Sequence, residues 1–415
     1  MNNNIIEKRV GKTPLVRARN LEKKLGITKI YLKLEGNNPS GHRIDRLTYI
    51  LIKDALRIGK KTICVGVVGD FAKSLAYLSQ FYDINCVFIV PENNEDKNNE
   101  IFDKSNIEFI EYGKTQEECI KQVQVFCSKN GWYNANPGMN SSVLSSIAYS
   151  KVANEIHLKI KGEIDNVFLQ SRFGNSLSGL DLGFRQSWVS NALKKIPILN
   201  RCTTDALDLI DDTEEKMISL TVEEVNHYVS EFEKVEDIKL SAENGYAIAG
   251  FLKEVETKKL PKGNHVILLN DGRVDIDIRL ISKEDGLDNE IISTVHKWLN
   301  EFTDPINEIE EAYQNAAKQG FIIAAFYNDE ICGIVIVVNF GFEHFASKYH
   351  LAYIATNDNL EGSGTATMIL NEAVELTEGN ISLHVERENV GAIKLYEKMG
   401  FKDYYSRMIH LSKNE

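Results

Sequence analysis

The chain has 415 residues, too many for one ordinary domain, and this length predicts two or three. Apolar residues make up 43% and charged residues 26%, as in globular proteins that bury a core rather than in disordered chains. Lys and Arg number 48 against 60 Asp and Glu, and the net charge of −12 argues against nucleic acid or an anionic membrane as an obligatory partner, because counterion release needs a basic face.

The six cysteines lie far apart and form no C-x-x-C pair, so the sequence indicates neither a zinc site nor a disulfide framework, and we expect no metal. The first residues contain no apolar run like that of a signal peptide. Nowhere do about 18 uncharged apolar residues follow one another. We therefore expect a cytoplasmic protein that does not enter membranes.

In chain order, the first two thirds of the sequence alternate short β-branched runs with longer runs of helical periodicity. Strands are predicted at 28–34, 62–68, 84–91, 166–170 and 264–271. Helices are predicted between them, at 50–60, 71–83, 220–235 and 247–260. Because the strands are continuously apolar, this alternation predicts an α/β fold with a parallel sheet covered by helices on both faces.

A polar stretch at 271–273 is the predicted joint between two domains, 1–273 and 274–415. Beyond it, strands are predicted at 275–282, 321–327, 331–338, 349–356 and 381–385, with helices at 288–301, 304–318, 363–377 and 389–399 and a terminal strand pair. The run Asn328-Asp329-Glu330 predicts a hairpin turn. This different order of elements predicts a separate fold.

In the second domain a strand leads into a turn of small residues that opens a helix, Asn359-Leu360-Glu361-Gly362-Ser363-Gly364-Thr365-Ala366. A helix N-terminus offers unpaired N–H groups to a phosphate, and small residues let a pyrophosphate approach the backbone. Alone, such a sequence is most often a plain turn. A second block follows one strand later, Asn389-x-x-Ala392-Ile393-x-Leu395-Tyr396-x-Lys398-x-Gly400-Phe401. Together with the strand order, the two blocks resemble the GNAT N-acetyltransferase superfamily.

This resemblance covers 276–415 and implies an α+β fold that transfers acetyl from acetyl-CoA to an amine. It implies that the turn binds the pyrophosphate and that the preceding strand binds the pantetheine arm. The residues implied in CoA binding are Ile354, Thr356, Gly362, Ser363, Gly364, Thr365, Ala366 and Asn389. Tyr396 is implied as the general acid that protonates the departing thiolate, since phenols and thiols have comparable pKa values.

One position departs from the family, which usually has Arg or Gln where this chain has Glu361. A carboxylate adds no attraction for pyrophosphate, so we expect weaker CoA binding rather than its loss. The general base is less clearly marked. Glu386 is our candidate, and His384, Glu343 and His350 are alternatives near the same strands. Each of the four is also compatible with a solvated surface group.

Two segments of the first domain, Gly11-Lys12-Thr13-Pro14-Leu15 and Lys33-Leu34-Glu35-Gly36-Asn37-Asn38-Pro39-Ser40-Gly41, resemble the threonine synthase and cysteine synthase family. These are fold-type II enzymes that depend on pyridoxal phosphate (PLP), and the resemblance extends over about 8–275. The family motif Asn-Pro-Thr/Ser-Gly-Ser-Phe-Lys-Asp-Arg aligns with 38–46, which places Ile44 at the Schiff-base lysine. Isoleucine has no amine, so it forms no aldimine and moves no α-proton.

Three further positions differ from the family. Asp70 replaces the Asn that contacts the phenolic oxygen of PLP, Phe173 interrupts the phosphate loop at 172–176, and Asn270 stands where a Ser or Thr meets the pyridine nitrogen. A carboxylate repels a phenolate, and a bulky ring obstructs close approach of the backbone to a phosphate. We therefore expect that PLP is not bound. Lys33 or Lys12 as a substitute lysine is the alternative.

Two roles are open for the first domain. The old cleft could bind an amino acid or metabolite through the turn at 40–42 and Arg172, or the domain could serve as a scaffold for a homodimer. His42 and Arg43, which are polar where the family has Ser and Phe, favour a new ligand unless both are exposed. The sequence thus predicts an N-acetyltransferase for a small-molecule amine, with a non-catalytic PLP-fold domain. Competing hypotheses are a regulatory protein with two inactive domains and an active PLP-dependent threonine synthase or lyase.

Overall fold

The computed structural model describes residues 6–403, with gaps at 8, 28, 67–68, 93–99, 137–140, 161, 172–174, 191, 205–214, 258–259, 261–262, 328, 342–346, 358–359 and 361–362. Several predicted features lie outside the described residues: Arg172, Phe173, Asn328, Glu343, Asn359, Glu361, Gly362 and the terminal strand pair. The chain divides into two compact units, Met1–Val274 and Asp275–Glu415. Of the helices in the described ranges, none is both long and apolar enough to cross a membrane.

The first unit contains two sheets. The larger has the strand order β1 (Leu15–Arg17), β2 (Ile30–Leu34), β10 (His265–Leu269), β7 (Asn166–Gln170), β8 (Ile198–Thr203) and β9 (Glu215–Ser219). The smaller has the order β5 (Ile107–Glu111), β4 (Asn85–Val90), β3 (Thr62–Val65) and β6 (Tyr133–Asn134). All neighbours are parallel except β1 and β2, which are antiparallel. Strand β10 is buried at every position, which explains why its sequence is apolar without alternation. The predicted parallel α/β fold is confirmed.

Helices connect these strands. They are α1 (Arg19–Leu25), α2 (Asp45–Arg57), α3 (Asp70–Ser79), α4 (Gln116–Asn130), α5 (Ser141–Lys159), α6 (Asn175–Val189), α7 (Val222–Glu236) and α8 (Tyr246–Glu256). Helix α2 begins at Asp45 rather than at residue 50, because the carboxylate of Asp45 accepts the Ser40 N–H at 2.6 Å and holds the preceding turn. Thr115 and Thr221 close capping boxes at the starts of α4 and α7.

The second unit is a five-stranded sheet with helices on both faces. Its strand order is β11 (Asp277–Ile281), β12 (Phe321–Tyr327), β13 (Glu330–Asn339), β14 (Tyr349–Thr356) and β15 (Ile381–Leu383). Its helices are α9 (Asp288–Trp298), α10 (Ile306–Gln319), α11 (Thr365–Leu376) and α12 (Val390–Lys398). Along β12, Ile322 and Ala324 join the core with α9 and α10, whereas Ile323 and Ala325 join the core with α11 and α12. This alternation is the period of two expected for a strand between two layers.

Strands β14 and β15 are parallel, whereas the other neighbours in this sheet are antiparallel. They pair only through Tyr349–Leu351 and Ile381–Leu383. Strand β14 remains paired with β13 as far as Thr356. The pairing between these two strands therefore ends at Leu351 and Leu383, where β15 itself ends. Among the described residues, the β15-facing edge of 352–356 carries no neighbouring strand.

Candidate functional site

The start of helix α11 lies directly beyond the open edge of β14. The chain turns there through backbone hydrogen bonds of 3.0 Å, in which Asn357 N–H donates to Cys332 O, Leu360 N–H to Asn357 O and Ser363 N–H to Leu360 O. Gly364 has a φ of 90°, in the left-handed region that glycine adopts without steric cost. The described part of the turn thus forms a tight connection between strand and helix.

The N-terminus of α11 has the character of an anion site. N–H groups in the first turn of an α-helix have no carbonyl partner within the helix, and the helix dipole adds positive potential there. Thr365 N–H donates to Ser363 Oγ at 3.3 Å, and the two hydroxyl oxygens lie 2.6 Å apart. No acidic side chain stands in this first turn to cancel the potential. The turn therefore suits a phosphate group.

Gly333 on β13 allows α11 to begin this close to the sheet. A Cβ at Gly333 would lie 2.7 Å from Thr365 Cγ2 and 3.1 Å from Ile369 Cδ1, and real Cβ atoms essentially never approach another atom within 3.0 Å. A side chain at this position would push the helix start outward. Gly333 is a site residue that was not predicted, although a glycine inside a strand often marks such a close approach.

Tyr396 of α12 lies in the core between the sheet and helices α11 and α12. It is 7% exposed and belongs to the same hydrophobic cluster as Ile354 of β14 and Leu383 of β15. Its ring centroid lies 5.8 Å from that of Phe401. Burial raises the pKa of Tyr396 to about 12, so its hydroxyl keeps its proton at neutral pH. The structure thus brings a protonated phenol together with the pantetheine strand that the sequence predicts.

The two other predicted residues of this region have simpler surroundings. Asn389 caps helix α12, and its Oδ1 accepts the Ala392 N–H at 3.0 Å, which occupies one side of the carboxamide. Glu386 is exposed in the turn before α12, and its backbone carbonyl accepts the Asn389 N–H at 3.0 Å. The Glu386 carboxylate therefore faces solvent rather than the core that holds Tyr396.

Two histidines lie at the other end of β14, where this strand still pairs with β15. His350 is buried, and its Nδ1 lies 3.0 Å from Ser382 Oγ. The ring centroid of His384 lies 4.5 Å from that of His350. Because they belong to the paired end of the two strands, these imidazoles are separated along the sheet from Thr356 and the start of α11.

In the first unit, four charged side chains form a buried network, Lys33, Glu35, Arg46 and Glu155. Arg46 donates to both carboxylates at 2.7 to 2.8 Å, and Lys33 Nζ donates to Glu155 Oε2 at 2.7 Å. Burial opposes ionisation of Glu155, but the hydrogen bonds and charges of Arg46 and Lys33 prevail and lower its pKa to about 2. The network was not predicted, because Glu155 lies far along the chain from its partners.

A second polar cluster lies around the turn that precedes α2. Arg43 is 8% exposed, and its Nη2 donates to the Gln170 carbonyl at 3.2 Å while its guanidinium lies 5.3 Å over the ring of Tyr149. Its backbone N–H donates to the Asn270 carbonyl at 3.0 Å. The open question of whether Arg43 is exposed is thereby answered: it is buried.

His42 and Asp70 lie at the edge of this cluster. The Nε2 atom of His42 lies 3.2 Å from Asn244 Oδ1 and 3.5 Å from Asp70 Oδ2. Asp70 is the first residue of α3, and its side chain is partly exposed. The carboxylate that the sequence analysis placed against the PLP phenolate therefore faces an imidazole.

Comparison with known proteins relates each unit to a family. Residues 6–199 match the family described as pyridoxal-phosphate dependent enzyme, and residues 292–401 match the acetyltransferase (GNAT) family. The first unit is a PLP-enzyme domain and the second is a GNAT domain. The predicted resemblances are confirmed for both units, and the GNAT domain implies the use of acetyl-CoA.

Similar curated proteins and solved structures relate to the PLP-enzyme part of the chain. Threonine synthase of Methanocaldococcus jannaschii is 38% identical over 82 residues, which are 20% of each chain. The O-acetylserine dependent cystathionine beta-synthase of Bacillus subtilis is 38% identical over 87 residues, 20% of this chain and 28% of the relative. The match to the threonine synthase therefore spans about a fifth of that relative's length.

Two solved structures show the fold of the PLP-enzyme domain. O-ureido-L-serine synthase aligns with a TM-score of 0.54 at 16% identity and covers 64% of this chain and 91% of its own. Cysteine synthase from Entamoeba histolytica aligns with a TM-score of 0.54 at 19% identity and covers 65% and 87%. At such low identity these likenesses support the fold alone.

The residues of the PLP-enzyme domain fit a PLP aldimine poorly. Ile44, which the sequence motif aligns with the family's lysine, packs against the hydrophobic core. Lys33 is fully buried, and its Nζ donates to the carbonyl and hydroxyl of Thr13 and to Glu155, which occupies all three N–H groups of an ammonium. Lys12 is exposed. Lys33 thus offers no free amine for an aldimine in the described structure.

Proposed function

We propose that this protein is an N-acetyltransferase that moves acetyl from acetyl-CoA to a small-molecule amine, and that its PLP-enzyme domain is not catalytic. The observation that carries the proposal is the unpaired edge of β14 beyond Leu351, next in the chain to the glycine-led start of α11. An open strand edge offers hydrogen bonds to the amide groups of pantetheine, and a helix N-terminus offers N–H groups to pyrophosphate. Tyr396 lies in the core under these two features.

In the proposed reaction the amine nitrogen attacks the thioester carbonyl, a C–N bond forms and the C–S bond breaks. The thiolate takes a proton from the hydroxyl of Tyr396, so that CoA leaves as a neutral thiol. The nitrogen loses one proton, and Glu386 accepts it through water, which suits a carboxylate that faces solvent. The tyrosine is reprotonated from solvent, and the balance is one amide and one thiol per turnover.

The non-catalytic role of the PLP-enzyme domain rests on three residues. Ile44 has no amine, the Lys33 amine is engaged by Thr13 and Glu155, and Asn270 replaces the expected Ser or Thr. The acceptor that we propose is an amino acid or a related metabolite, because the fold of this domain is that of amino-acid enzymes.

The test is thiol release from acetyl-CoA by the full-length chain, measured with individual L-amino acids and simple amines as acceptors. We expect acceptor-dependent release that survives treatment of the protein with borohydride, since borohydride reduces the imine on which PLP catalysis depends and the proposed acetyl transfer uses no imine. If no amine raised the rate of thiol release above that of acetyl-CoA hydrolysis alone, the proposed acetyltransferase activity would be contradicted. Activity lost on borohydride treatment would contradict the non-catalytic role of the first domain.

A further inference from the structure

Two buried polar side chains of the PLP-enzyme domain each carry atoms without a hydrogen-bond partner, and the two residues lie next to each other. Arg43 is 8% exposed and Asn270 is 3% exposed. The Nε and Nη1 atoms of Arg43 and the Oδ1 atom of Asn270 make no hydrogen bond. Arg43 N–H donates to the Asn270 carbonyl, and both side chains contact Gln170. The unbonded nitrogens of Arg43 need hydrogen-bond acceptors, and the Asn270 oxygen needs a donor.

Among the described residues, Arg43 is a buried cation without an ion-pair partner. Its only described hydrogen-bond acceptor for the side chain is the Gln170 carbonyl, and no described carboxylate forms an ion pair with it. The free Nε and Nη1 carry three of the five N–H groups of a guanidinium. Buried charges in proteins are normally paired, because desolvation is costly. Three donors of a buried guanidinium are therefore left without an acceptor among the described residues, and an external anion would satisfy them.

The orientation of the Asn270 amide is fixed by its neighbours. Asn244 Nδ2 donates to the Asp271 carboxylate at 3.2 Å, so that Asn244 Oδ1 faces the other way. This oxygen accepts the Asn270 Nδ2–H at 3.3 Å, and Gln170 Oε1 lies at the same distance from Nδ2. The Oδ1 atom of Asn270 is consequently left as an acceptor. Asp271 adds a negative charge nearby, and its own Oδ1 has no partner either.

The position of the cluster is that of a ligand site. Gln170 ends β7 and Asn270 directly follows β10, so the orphan groups lie at the carboxyl ends of parallel strands. Ligands of open α/β sheets bind outside these ends. The residues themselves are not those of the PLP relatives, which have Phe at the Arg43 position and Ser or Thr at the Asn270 position.

We propose that this cluster binds the zwitterionic backbone of a free α-amino acid without a covalent bond, the carboxylate on Arg43 and the ammonium on Asn270 Oδ1. A carboxylate matches the single charge of Arg43, whereas a phosphate monoester would bury a second, uncompensated negative charge. The ammonium would donate to the amide oxygen of Asn270, and the Asp271 carboxylate, which accepts from Asn244, adds a negative charge to the cluster. This inference rests on the proposed non-catalytic role of the domain, because PLP would occupy the same region.

The test measures the melting temperature of the full-length chain with each of the common L-amino acids as a separate probe, at about 10 mM. Acetate, methylamine and inorganic phosphate at the same concentration test the two halves of the zwitterion and a different anion. We expect at least one amino acid to raise the melting temperature, and acetate and methylamine each to give a smaller shift or none. Inert amino acids would overturn the proposal, and so would a shift matched by acetate alone or by phosphate.

Two variants locate the effect. Arg43→Met should abolish the shift and should not lower the melting temperature of the free protein, because it removes an unpaired buried charge. The matched control Arg57→Met removes a guanidinium that is exposed and paired with Asp54, and it should keep the shift. An equal shift in Arg43→Met would overturn the assignment. If Arg43→Met does not fold, Arg43→Lys serves instead, with an affinity at least about tenfold weaker because the planar fork is lost.

PLP itself is the probe that tests the non-catalytic role of the domain separately from the amino-acid site at Arg43. An absorbance band from bound PLP, removed by borohydride, would contradict the proposed function of the domain. Failure of every amino acid in the absence of such a band would contradict only the inference about Arg43.

Discussion

The Nζ atom of Lys33 lies 2.7 Å from Oε2 of Glu155, and this contact joins strand β2 to helix α5 inside the first unit. Arg46 of α2 donates to the same carboxylate, so three elements meet at one anion. Breaking a buried ion pair by removing one partner is strongly destabilising, because the remaining charge is left without compensation. Protonation of Glu155 at low pH should therefore destabilise this unit.

The first prediction concerns Glu155→Gln, which should lower the free energy of unfolding at neutral pH by about 3–5 kcal/mol. The folded pKa of Glu155 is lowered to about 2 from an ordinary 4.5, so its contribution is complete above pH 4.5 and is lost as the pH falls toward 2. Denaturant unfolding of both proteins across this range should therefore show the difference shrinking with acid. Glu231→Gln, at a half-exposed pair with Lys24, should cost less than about 1 kcal/mol. A constant difference at all pH values would contradict the account.

The second prediction concerns cofactor chemistry. After incubation with PLP and dialysis, the purified protein should be colourless. The substitution Ile44→Lys should not restore threonine synthesis or β-replacement. The added lysine supplies an amine, but Asp70 and Asn270 still replace the family's contacts to the cofactor ring. Absorbance spectra before and after borohydride check the wild-type chain. A yellow wild-type protein that bleaches on reduction would contradict the non-catalytic role.

The sequence was informative where local pattern determines structure. The buried strand β10 and the period of two on β12 follow from burial on both faces, and both strands lie where their apolar runs predict. The pairing of Lys33 with Glu155 could not be predicted, because no local rule links residues that only tertiary folding brings together. The unpartnered atoms of Arg43 could not be predicted for the same reason. The sequence showed a polar residue at a position that is apolar in the family, but not that this residue is buried.

The third prediction concerns the start of α11. Gly364→Glu should abolish CoA binding by the full-length chain, measured by calorimetry, because a carboxylate would enter the turn proposed to hold the pyrophosphate. Gly364 has a φ of 90°, so any side chain there also adds backbone strain. Gly379→Glu is the matched control, since that glycine has a φ of 77° with open space around it and lies at the other end of the helix.

Gly364→Ala separates strain from charge at the same position, and we expect it to weaken CoA binding less than Gly364→Glu does. Unchanged CoA affinity in Gly364→Glu, or an equal loss in Gly379→Glu, would show that the pyrophosphate turn has been misassigned.

The most direct measurement of the central claim compares kcat for acetyl transfer in the wild type and in Tyr396→Phe, once an acceptor is known. CoA affinity comes from the backbone of the turn and the strand, so the variant should keep its KM for acetyl-CoA while kcat falls by about 10²-fold or more, as expected for loss of a general acid. Tyr313→Phe is the control, because it removes a hydroxyl that donates to Asp288 at 2.6 Å in a different core of the same unit, and its kcat should hold. A wild-type kcat in Tyr396→Phe would remove this phenol from the mechanism and contradict the account.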